Sequence, residues 1–278
     1  MYIGAHVSAA GGVFNSPKNA AEIGCEVLQM FSRPPQGGKP KPITDELKEK
    51  FQNAMNENNI KAAYIHSPYF INLASSKPRI YHASISILRE ELERGTLLGC
   101  KAMMFHPGSA KDVGEEKGTE MVIAALDKIL NGYEGTCQLL IEISAGAGAI
   151  MGDRFEEVGS FINGSKYSDA IGVCFDTQHA FASGYDLRDQ SGLNLVMKEF
   201  DKHIGLNKLV ASHVNDSKVD LNEHKDRHEN IGKGYIGEDA FKYFVQHKDL
   251  QNIDLILETP LNDNRAKEIT LLKSFRSG

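Results

Sequence analysis

The sequence IGVCFD at residues 171–176 is a short apolar run that ends in a carboxylate, and seven similar runs are spread along the 278-residue chain. Their first residues lie 24 to 45 positions apart. Runs that are largely uncharged inside and rich in Val, Ile, Leu and Phe are typical of parallel strands buried on both faces. The eight predicted strands are YIGAH (2–6), EVLQMF (26–31), AAYIH (62–66), KAMMFH (101–106), QLLIEI (138–143), IGVCFD (171–176), LVASH (209–213) and DLILE (254–258).

Amphipathic helices are predicted between these strands. Apolar residues recur at the i, i+3, i+4 and i+7 spacing of one helix face in the segments 81–92, 122–129 and 193–204. Glycines such as Gly99 and Gly164 follow several of these patterns, where the left-handed conformation is needed just past a helix. Eight strand–helix alternations without a long linker predict one α/β domain over residues 1–278, a (β/α)8 TIM barrel with its active site at the C-terminal ends of the strands. A doubly wound open sheet is the alternative.

The composition is that of an ordinary soluble globular protein, with 41% hydrophobic and 24% charged residues. The formal net charge of −6 argues against passive coating of nucleic acid, although metal ions can still build a local positive site. None of the four cysteines forms a C-x-x-C pair, which predicts reduced thiols and a cytoplasmic location. We expect no signal peptide and no association with a membrane, because no apolar run approaches about 18 residues.

Seven of the eight predicted strands end in, or next to, an imidazole or a carboxylate. Barrel enzymes place their active sites at these strand ends. A single strand-end histidine is usually a hydrogen-bonded structural residue, but seven acidic or imidazole groups at one mouth would leave buried charge unpaired, which is costly. Bound cations are therefore the economical explanation. The seven residues are His6, His66, His106, Glu142, Asp176, His213 and Glu258.

Two short pairs add further ligands. Asp176 and His179 lie in FDTQH, and Asp226 and His228 lie in DRH, where a two-residue step in extended chain puts both side chains on one side. Mixed imidazole and carboxylate ligation suits Zn²⁺, with Mn²⁺ or Fe²⁺ as alternatives, and nine ligands suit two or three ions rather than one. Three divalent ions would outweigh the four carboxylates and attract phosphate. The nine predicted ligands are His66, His106, Glu142, Asp176, His179, His213, Asp226, His228 and Glu258.

Long motifs run in order along nearly the whole chain: IGAHVSAAGG (3–12), HSPYFINLAS (66–75), FHPGS (105–109), FDTQHAFASGYD (175–186), HVNDSK (213–218), DRHENIGKGYIG (226–237) and LILET (255–259). In these motifs the sequence resembles the endonuclease IV family, the metal-dependent AP endonucleases of base-excision repair. The resemblance implies a barrel with three zinc ions, Mn²⁺ being possible at one site, in a protein that is a monomer. It implies hydrolysis of double-stranded DNA on the 5′ side of an abasic site, leaving a 3′-hydroxyl, with cleaning of 3′ ends as a possible second activity.

The resemblance also implies three ligand sets, which are His66, His106 and Glu142; Glu142, Asp176, His213 and Glu258; and His179, Asp226 and His228. A hydroxide shared by two zinc ions is a strong nucleophile near pH 7. Glu142, which bridges, and Glu258, which can orient or deprotonate the attacking water, are the predicted catalytic residues. His6 is expected to orient a ligand or water without binding metal. Ile143 stands where the family usually has Asn, which puts a hydrogen bond near Glu142 in question.

Contacts with DNA are predicted in two loops. In the family, a loop after the third strand inserts bulky side chains into the minor groove, and the matching residues here are Tyr69 and Phe70. An apolar wedge of this kind unstacks a base step and helps to expose an abasic nucleotide; the alternative is that the two rings only cover the barrel rim. Arg33 and Gln36, in the loop after the second strand, are further candidates, although this loop lacks the family's polar, Arg-bearing stretch.

Two other classes of protein compete with this interpretation. A barrel sugar isomerase or epimerase shares the architecture and uses divalent metals, but it usually holds one or two ions and lacks a set like His179, Asp226 and His228. A non-enzymatic, metal-dependent DNA-binding module is disfavoured by the negative net charge and the full ligand set. The number of metal ions per chain and cleavage of an abasic duplex would separate the three.

Overall fold

The eight predicted runs form parallel strands that close into a barrel. The structure, a computed structural model, describes residues 1–261 and 264–276, so residues 262, 263, 277 and 278 of the predicted domain lie outside the described residues. The strands are β1 (Ile3–His6), β2 (Val27–Met30), β3 (Ala62–His66), β4 (Ala102–Phe105), β5 (Gln138–Glu142), β6 (Ile171–Asp176), β7 (Leu209–His213), β8 (Asp216–Ser217), β9 (His228–Glu229) and β10 (Asp254–Leu257). The order around the barrel is β1-β10-β7-β6-β5-β4-β3-β2, and β1 pairs with both β2 and β10. This closure confirms the (β/α)8 barrel and rules out the open sheet.

Helices follow the strands as the apolar spacing predicts: α1 (Ser16–Glu22), α2 (Asp45–Glu57), α3 (Pro78–Leu98), α4 (Glu115–Leu130), α5 (Phe155–Gly164), α6 (Thr177–Ala182), α7 (Gln190–His203), α8 (Glu238–Gln246) and α9 (Arg265–Arg276). Gly99 ends α3 in the left-handed conformation at φ 75°, as predicted. Gly164 differs, because it is the last residue of α5 and lies where a Cβ atom would meet Ile123. Within the described residues, no helix is both long and apolar enough to cross a membrane.

The interior of the barrel is filled by a layer of apolar side chains directly beneath the mouth. Side chains two residues apart on a strand point to the same face. All of these buried residues except Ala102, which lies two positions before Met104 of the same layer, lie two positions before a residue that faces the mouth, as Tyr64 does before His66 and Leu140 before Glu142. The layer consists of Val27, Tyr64, Ala102, Met104, Leu140, Cys174, Ala211 and Ile256. It forms a rigid floor on which the polar groups are held.

The connection between β7 and α8 carries an antiparallel hairpin, β8–β9, in which Ser217 is paired with His228. The buried carboxylate of Asp216 accepts hydrogen bonds from the main-chain amides of Gly232, Gly234 and Ile236, at 2.9, 3.0 and 2.9 Å. Gly234 allows this close approach, since a Cβ atom there would lie 2.3 Å from the carbonyl oxygen of Ser217. The hairpin therefore holds His228 at the mouth, although this segment is outside the barrel itself.

Candidate metal centre

The strand ends bring six of the nine predicted ligands to one mouth, and α6 and the β8–β9 connection bring the other three. Asp176 ends β6 and caps α6, where its Oδ1 accepts a hydrogen bond from the amide of His179 at 2.9 Å. An Asp at this position satisfies a main-chain amide that the helix leaves free. The FDTQH segment thus places two predicted ligands, Asp176 and His179, side by side at the end of β6.

Glu142 is fully buried at the centre, and its two carboxylate oxygens face different groups of histidines. Oε2 lies 3.1 Å from His66 Nε2 and 3.5 Å from His106 Nε2. Oε1 lies 3.0 Å from His213 Nδ1. His66, His106 and Glu142 can therefore share one ion, while the other oxygen of Glu142 is free to serve a second ion. This is the arrangement of a bridging carboxylate.

The second group of ligand atoms surrounds His213 Nδ1. This nitrogen lies 3.2 Å from Glu258 Oε2 and 3.7 Å from Asp176 Oδ2, in addition to its contact with Glu142. Glu142, Asp176, His213 and Glu258 together offer one imidazole and three carboxylates whose ligand atoms lie within 4.8 Å of one another. The set is the one implied by the family resemblance, and its donors suit a divalent cation such as Zn²⁺.

The third group is formed by His179, Asp226 and His228. His179 Nε2 lies 3.3 Å from His228 Nε2 and 3.4 Å from Asp226 Oδ1, and His228 Nε2 lies 3.3 Å from Asp226 Oδ1. Two atoms that bind a tetrahedral zinc ion at about 2.0–2.1 Å lie about 3.3 Å from each other. Asp176 borders this group as well, since its Oδ2 is 3.8 Å from His228 Nε2. The three donors therefore fit a zinc ion.

Hydrogen bonds to protein oxygens fix which nitrogen of each imidazole faces the ligand groups. A carbonyl oxygen can only accept, so the ring nitrogen that contacts it carries the proton. The Nδ1 atoms of His66, His179 and His228 donate to the carbonyl oxygens of Ser67, Ile143 and Glu258, at 2.6, 2.9 and 3.2 Å. Their Nε2 atoms therefore face the ligand groups and can bind a cation once they are deprotonated. Such outer partners are a regular feature of histidine metal sites.

Charges of both signs oppose each other in this buried cluster. Burial by itself raises the pKa of Glu142, but the charges of His106 and His213 and hydrogen bonds from His179 and His213 hold it well below its usual range. Burial lowers the pKa of His179, yet Asp176, Asp226 and Glu142 together raise it well above its ordinary value. Anionic carboxylates packed among imidazoles form a site with high affinity for cations.

Comparisons with known proteins identify the family of the chain. A family model of the AP endonuclease 2 type, described as a xylose isomerase-like TIM barrel, matches residues 17–275. The chain is 38% identical over 276 residues to a probable endonuclease 4 of Halothermothrix orenii, with 99% of both chains covered. It is 40% identical over 277 residues to the one of Petrotoga mobilis, covering 98% of this chain and 96% of the relative. The chain belongs to the endonuclease IV family.

Solved structures extend the comparison. Endonuclease IV from Thermus thermophilus superposes with a TM-score of 0.87 and 29% sequence identity, over 100% of this chain and 99% of that one. A D-tagatose 3-epimerase-like protein superposes with a TM-score of 0.75 over 100% of this chain and 97% of that one, but its 18% identity shows the common fold alone. The resemblance of the sequence to the endonuclease IV family is thus confirmed.

Two residues of this endonuclease IV family member hold the ligands in place and were missed in the sequence. Gln29 Oε1 accepts a hydrogen bond from His213 Nε2 at 2.7 Å, and Gln29 Nε2 donates one to Glu258 Oε1 at 2.6 Å. Asn215 Nδ2 donates to Asp176 Oδ2 at 2.8 Å, and its Oδ1 accepts from the amide of Glu258 at 2.8 Å. The alternation of side chains along β2 could have identified Gln29, because it lies two residues after Val27 and so points to the same face. Neither amide carries charge, so neither stood out.

His6 and Ile143 behave in different ways from each other. His6 does not join a ligand group; its Nδ1 lies 3.2 Å from Glu258 Oε1 and 2.9 Å from Gln29 Nε2. This location is consistent with its expected role in orienting Glu258. The side chain of Ile143 is buried and apolar, and it is the main-chain carbonyl that contacts the centre, through His179 Nδ1.

Three of the four predicted DNA contacts, Arg33, Gln36 and Tyr69, line a cavity of about 1450 Å³ that opens at the mouth. Tyr69 and Phe70 are 69% and 43% exposed on the rim, and the Tyr69 ring centroid is 5.6 Å from that of His66. Gln36 is exposed and lines the same cavity. These two bulky rings are exposed to solvent beside the ligand groups, where a large substrate could contact them.

The guanidinium of Arg33, a predicted DNA contact, is held by two carboxylates of α3, and its contact with DNA stays a prediction. Its guanidinium is buried, with Nε donating to Glu91 Oε1 at 2.6 Å and Nη2 to Glu90 Oε2 at 2.5 Å. Freeing the guanidinium would leave the buried carboxylate of Glu91 unpaired, which is costly. Arg33 therefore anchors the loop after β2 to α3, while the residue also lines the cavity.

Proposed function

We propose that this chain is an AP endonuclease that hydrolyses the phosphodiester on the 5′ side of abasic sites in double-stranded DNA, with a 3′-hydroxyl as product. The centre would hold three zinc ions, with Mn²⁺ possible at one site. His66, His106 and Glu142 would hold the first, Glu142, Asp176, His213 and Glu258 the second, and His179, Asp226 and His228 the third. The proposed location is the cytoplasm, which the four free, buried cysteines support, and the proposed state is a monomer, as the family resemblance implies.

The observation that carries the proposal is the division of the Glu142 carboxylate between two groups of histidines. One oxygen faces His66 and His106, and the other faces His213, at 3.0 to 3.5 Å. A carboxylate shared in this way keeps two ions close enough to act on one phosphate. The third group, around His179, adds positive charge on the side where the phosphate and the leaving 3′ oxygen would lie. A basic side chain is then not required as a general acid for the leaving 3′ oxygen.

Bound zinc would polarise the phosphate and supply a water that is acidic enough to attack near neutral pH. Glu258 is the residue placed to orient that water and to take its proton, because Oε2 faces the ligand atoms while Oε1 is held by Gln29. His6 also contacts Oε1, at 3.2 Å, and limits rotation of the carboxylate. The oxygen of water would then replace the 3′ oxygen on phosphorus, and the 3′ oxygen would take a proton from solvent water and leave as a 3′-hydroxyl.

Recognition of the substrate would use the exposed rings of Tyr69 and Phe70. The Tyr69 ring lies at the boundary between the rim and the ligand groups, in contact with Phe31 and His66. A wedge at this boundary can unstack DNA and let an abasic nucleotide enter the cavity. Gln36, on the neighbouring loop after β2, lines the same cavity and is the second proposed contact.

A sugar epimerase is the alternative with the same fold, since epimerase structures superpose on this chain. These structures have the same barrel fold at 18% and 12% sequence identity, so the similarity carries no argument about the site. The group formed by His179, Asp226 and His228 distinguishes this chain, because proton transfer next to a sugar carbonyl has no evident use for a further ion.

The test is cleavage of a synthetic duplex that contains one abasic site, with the same duplex without the lesion as the control. We expect one incision, immediately 5′ to the lesion, and a product that a DNA polymerase can extend because it ends in a 3′-hydroxyl. Prior chelation should abolish the incision, and added Zn²⁺ should restore it. A metal-loaded protein that leaves the abasic duplex intact, or cuts on the 3′ side, would refute the proposal.

A further inference from the structure

Gln178 lies between two functional residues of the chain, directly before His179 at the start of α6, and its side chain is fully buried. The amide of this side chain makes three hydrogen bonds, all with the β8–β9 connection. Its Nε2 donates to the carbonyl oxygen of Lys225 at 3.0 Å and to Ser217 Oγ at 3.2 Å. Its Oε1 accepts from the main-chain amide of Arg227 at 3.2 Å.

These bonds hold the main chain on both sides of Asp226. Residues 218–227 are fully described and belong to no helix or strand, so regular structure does not position Asp226. Its carboxylate is half exposed, with a side-chain exposure of 55%, and is therefore not held by packing either. The carbonyl before Asp226 and the amide after it both bind one buried side chain. Since Gln178 precedes His179 on α6, it links the position of Asp226 to that of His179.

We infer that Gln178 is a positioning residue that sets the separation of Asp226 from His179 and thereby the affinity of the protein for the third metal ion. The inference rests on the proposed three-ion centre. Its effect is confined to that ion, because other partners hold the other two groups: Ser67 for His66, Gln29 for His213 and Asn215 for Asp176. Gln178 also contacts Ser217, which is paired with His228 in the hairpin, so it helps to position His228, the third ligand of this group.

The experiment compares the parent, Gln178→Met and the matched control Gln251→Met. Methionine keeps the length of the side chain but removes its polar atoms. Gln251 also binds main-chain carbonyls, of Val245 and His247 at 2.9 Å each, just before β10 begins, at the opposite end of the barrel from the mouth. Each protein is loaded with Zn²⁺ and dialysed against a graded series of a zinc chelator, and the bound zinc is counted by elemental analysis. Thermal unfolding is measured on the fully chelated proteins.

We expect one ion to dissociate from Gln178→Met at a free zinc concentration about 10–100-fold higher than from the parent, while the other two ions stay in place. Gln251→Met should match the parent in all three. A purely structural role for Gln178 would weaken all three ions together and lower the unfolding temperature of the chelated protein. That outcome overturns the inference, as does a variant with three ions of unchanged affinity.

A second measurement needs no substitution. The amide hydrogen of Arg227 should be protected from exchange in the chelated parent, because its partner is Gln178 and not a metal ligand. Exchange at the rate of an unprotected loop amide in the chelated parent overturns the inference. A parent that binds two ions or fewer at saturating zinc is a different result: it refutes the three-ion centre and removes the inference with it.

Discussion

His179 Nε2 and His228 Nε2 lie 3.3 Å apart, although 49 residues separate them in the chain. His179 is on the helix that follows β6, and His228 is on a two-stranded hairpin outside the barrel. In each ring the other nitrogen, Nδ1, donates a hydrogen bond to a main-chain carbonyl oxygen, so Nε2 is the atom that can bind a cation. Two such atoms approach closely in a stable fold when a cation can lie between them.

The number of bound metal ions follows from this relationship. We expect about three zinc ions per chain in the parent and about two in His228→Ala, because the third group would lose one of its three donors. Elemental analysis of the purified proteins measures the count. His82→Ala, on α3 and away from the mouth, is the control and should keep the parental number. A fully active parent with one ion or none would contradict the prediction.

Glu258→Gln should stop the chemical step while it spares folding and DNA binding. Glutamine keeps the shape and can still accept the hydrogen bond from Gln29, but it cannot take a proton from water. Loss of a positioned general base typically costs about 10²–10⁴ in rate. Single-turnover cleavage of an abasic duplex at saturating variant measures this step. A rate within about threefold of the parent would show that Glu258 has no part in the chemistry.

The double substitution Tyr69→Ala with Phe70→Ala should weaken the binding and processing of abasic duplex and leave the metal count unchanged. Both rings are exposed on the rim, so little packing is lost, and the loss of a wedge costs a few kcal/mol by the energy of unstacking. Affinity and rate are to be compared at the same salt concentration. Leu195→Ala on α7, an equally exposed apolar side chain far from the mouth, is the control. Parental affinity and rate in the double variant would assign the rings to rim packing.

Zinc binding at pH 7 should release protons. In the metal-free protein, burial lowers the pKa of His66 and His179, but their carboxylate neighbours raise both above the ordinary value, so these rings hold protons that zinc must displace. Zinc affinity should therefore fall as the pH is lowered, and the release should disappear as the pH rises through the raised pKa values.

Calorimetry in two buffers with different heats of ionisation measures this release. The apparent binding enthalpy should differ between the buffers in proportion to their heats of ionisation, and His179→Asn should show a smaller difference. Equal binding enthalpies in both buffers at pH 7 would mean that the rings of His66 and His179 are already neutral. That result would contradict the prediction that their pKa values are raised.

The sequence was sufficient to predict the barrel and the side chains at its strand ends, because both depend on local periodicity. Strand ends and the alternation of side chains are properties of a few consecutive residues, so His66 and Glu142 could be identified from the runs that precede them. The same alternation marked Gln29, two residues after Val27, but an uncharged amide gave no chemical reason to select it. The ion pairs of Arg33 could not be predicted because its partners, Glu90 and Glu91, lie on a helix that the loop meets only in the folded chain.

What the sequence determined by itself is thus which residues reach the mouth of the barrel. The tertiary structure alone decided how they are shared: which oxygen of Glu142 faces His66 and which faces His213, and that Gln178 holds the chain around Asp226. Those relationships depend on the register between neighbouring strands and on the path of the β8–β9 connection. Contacts between residues 49 to 76 positions apart are fixed by closure of the barrel, which no local pattern in the chain encodes.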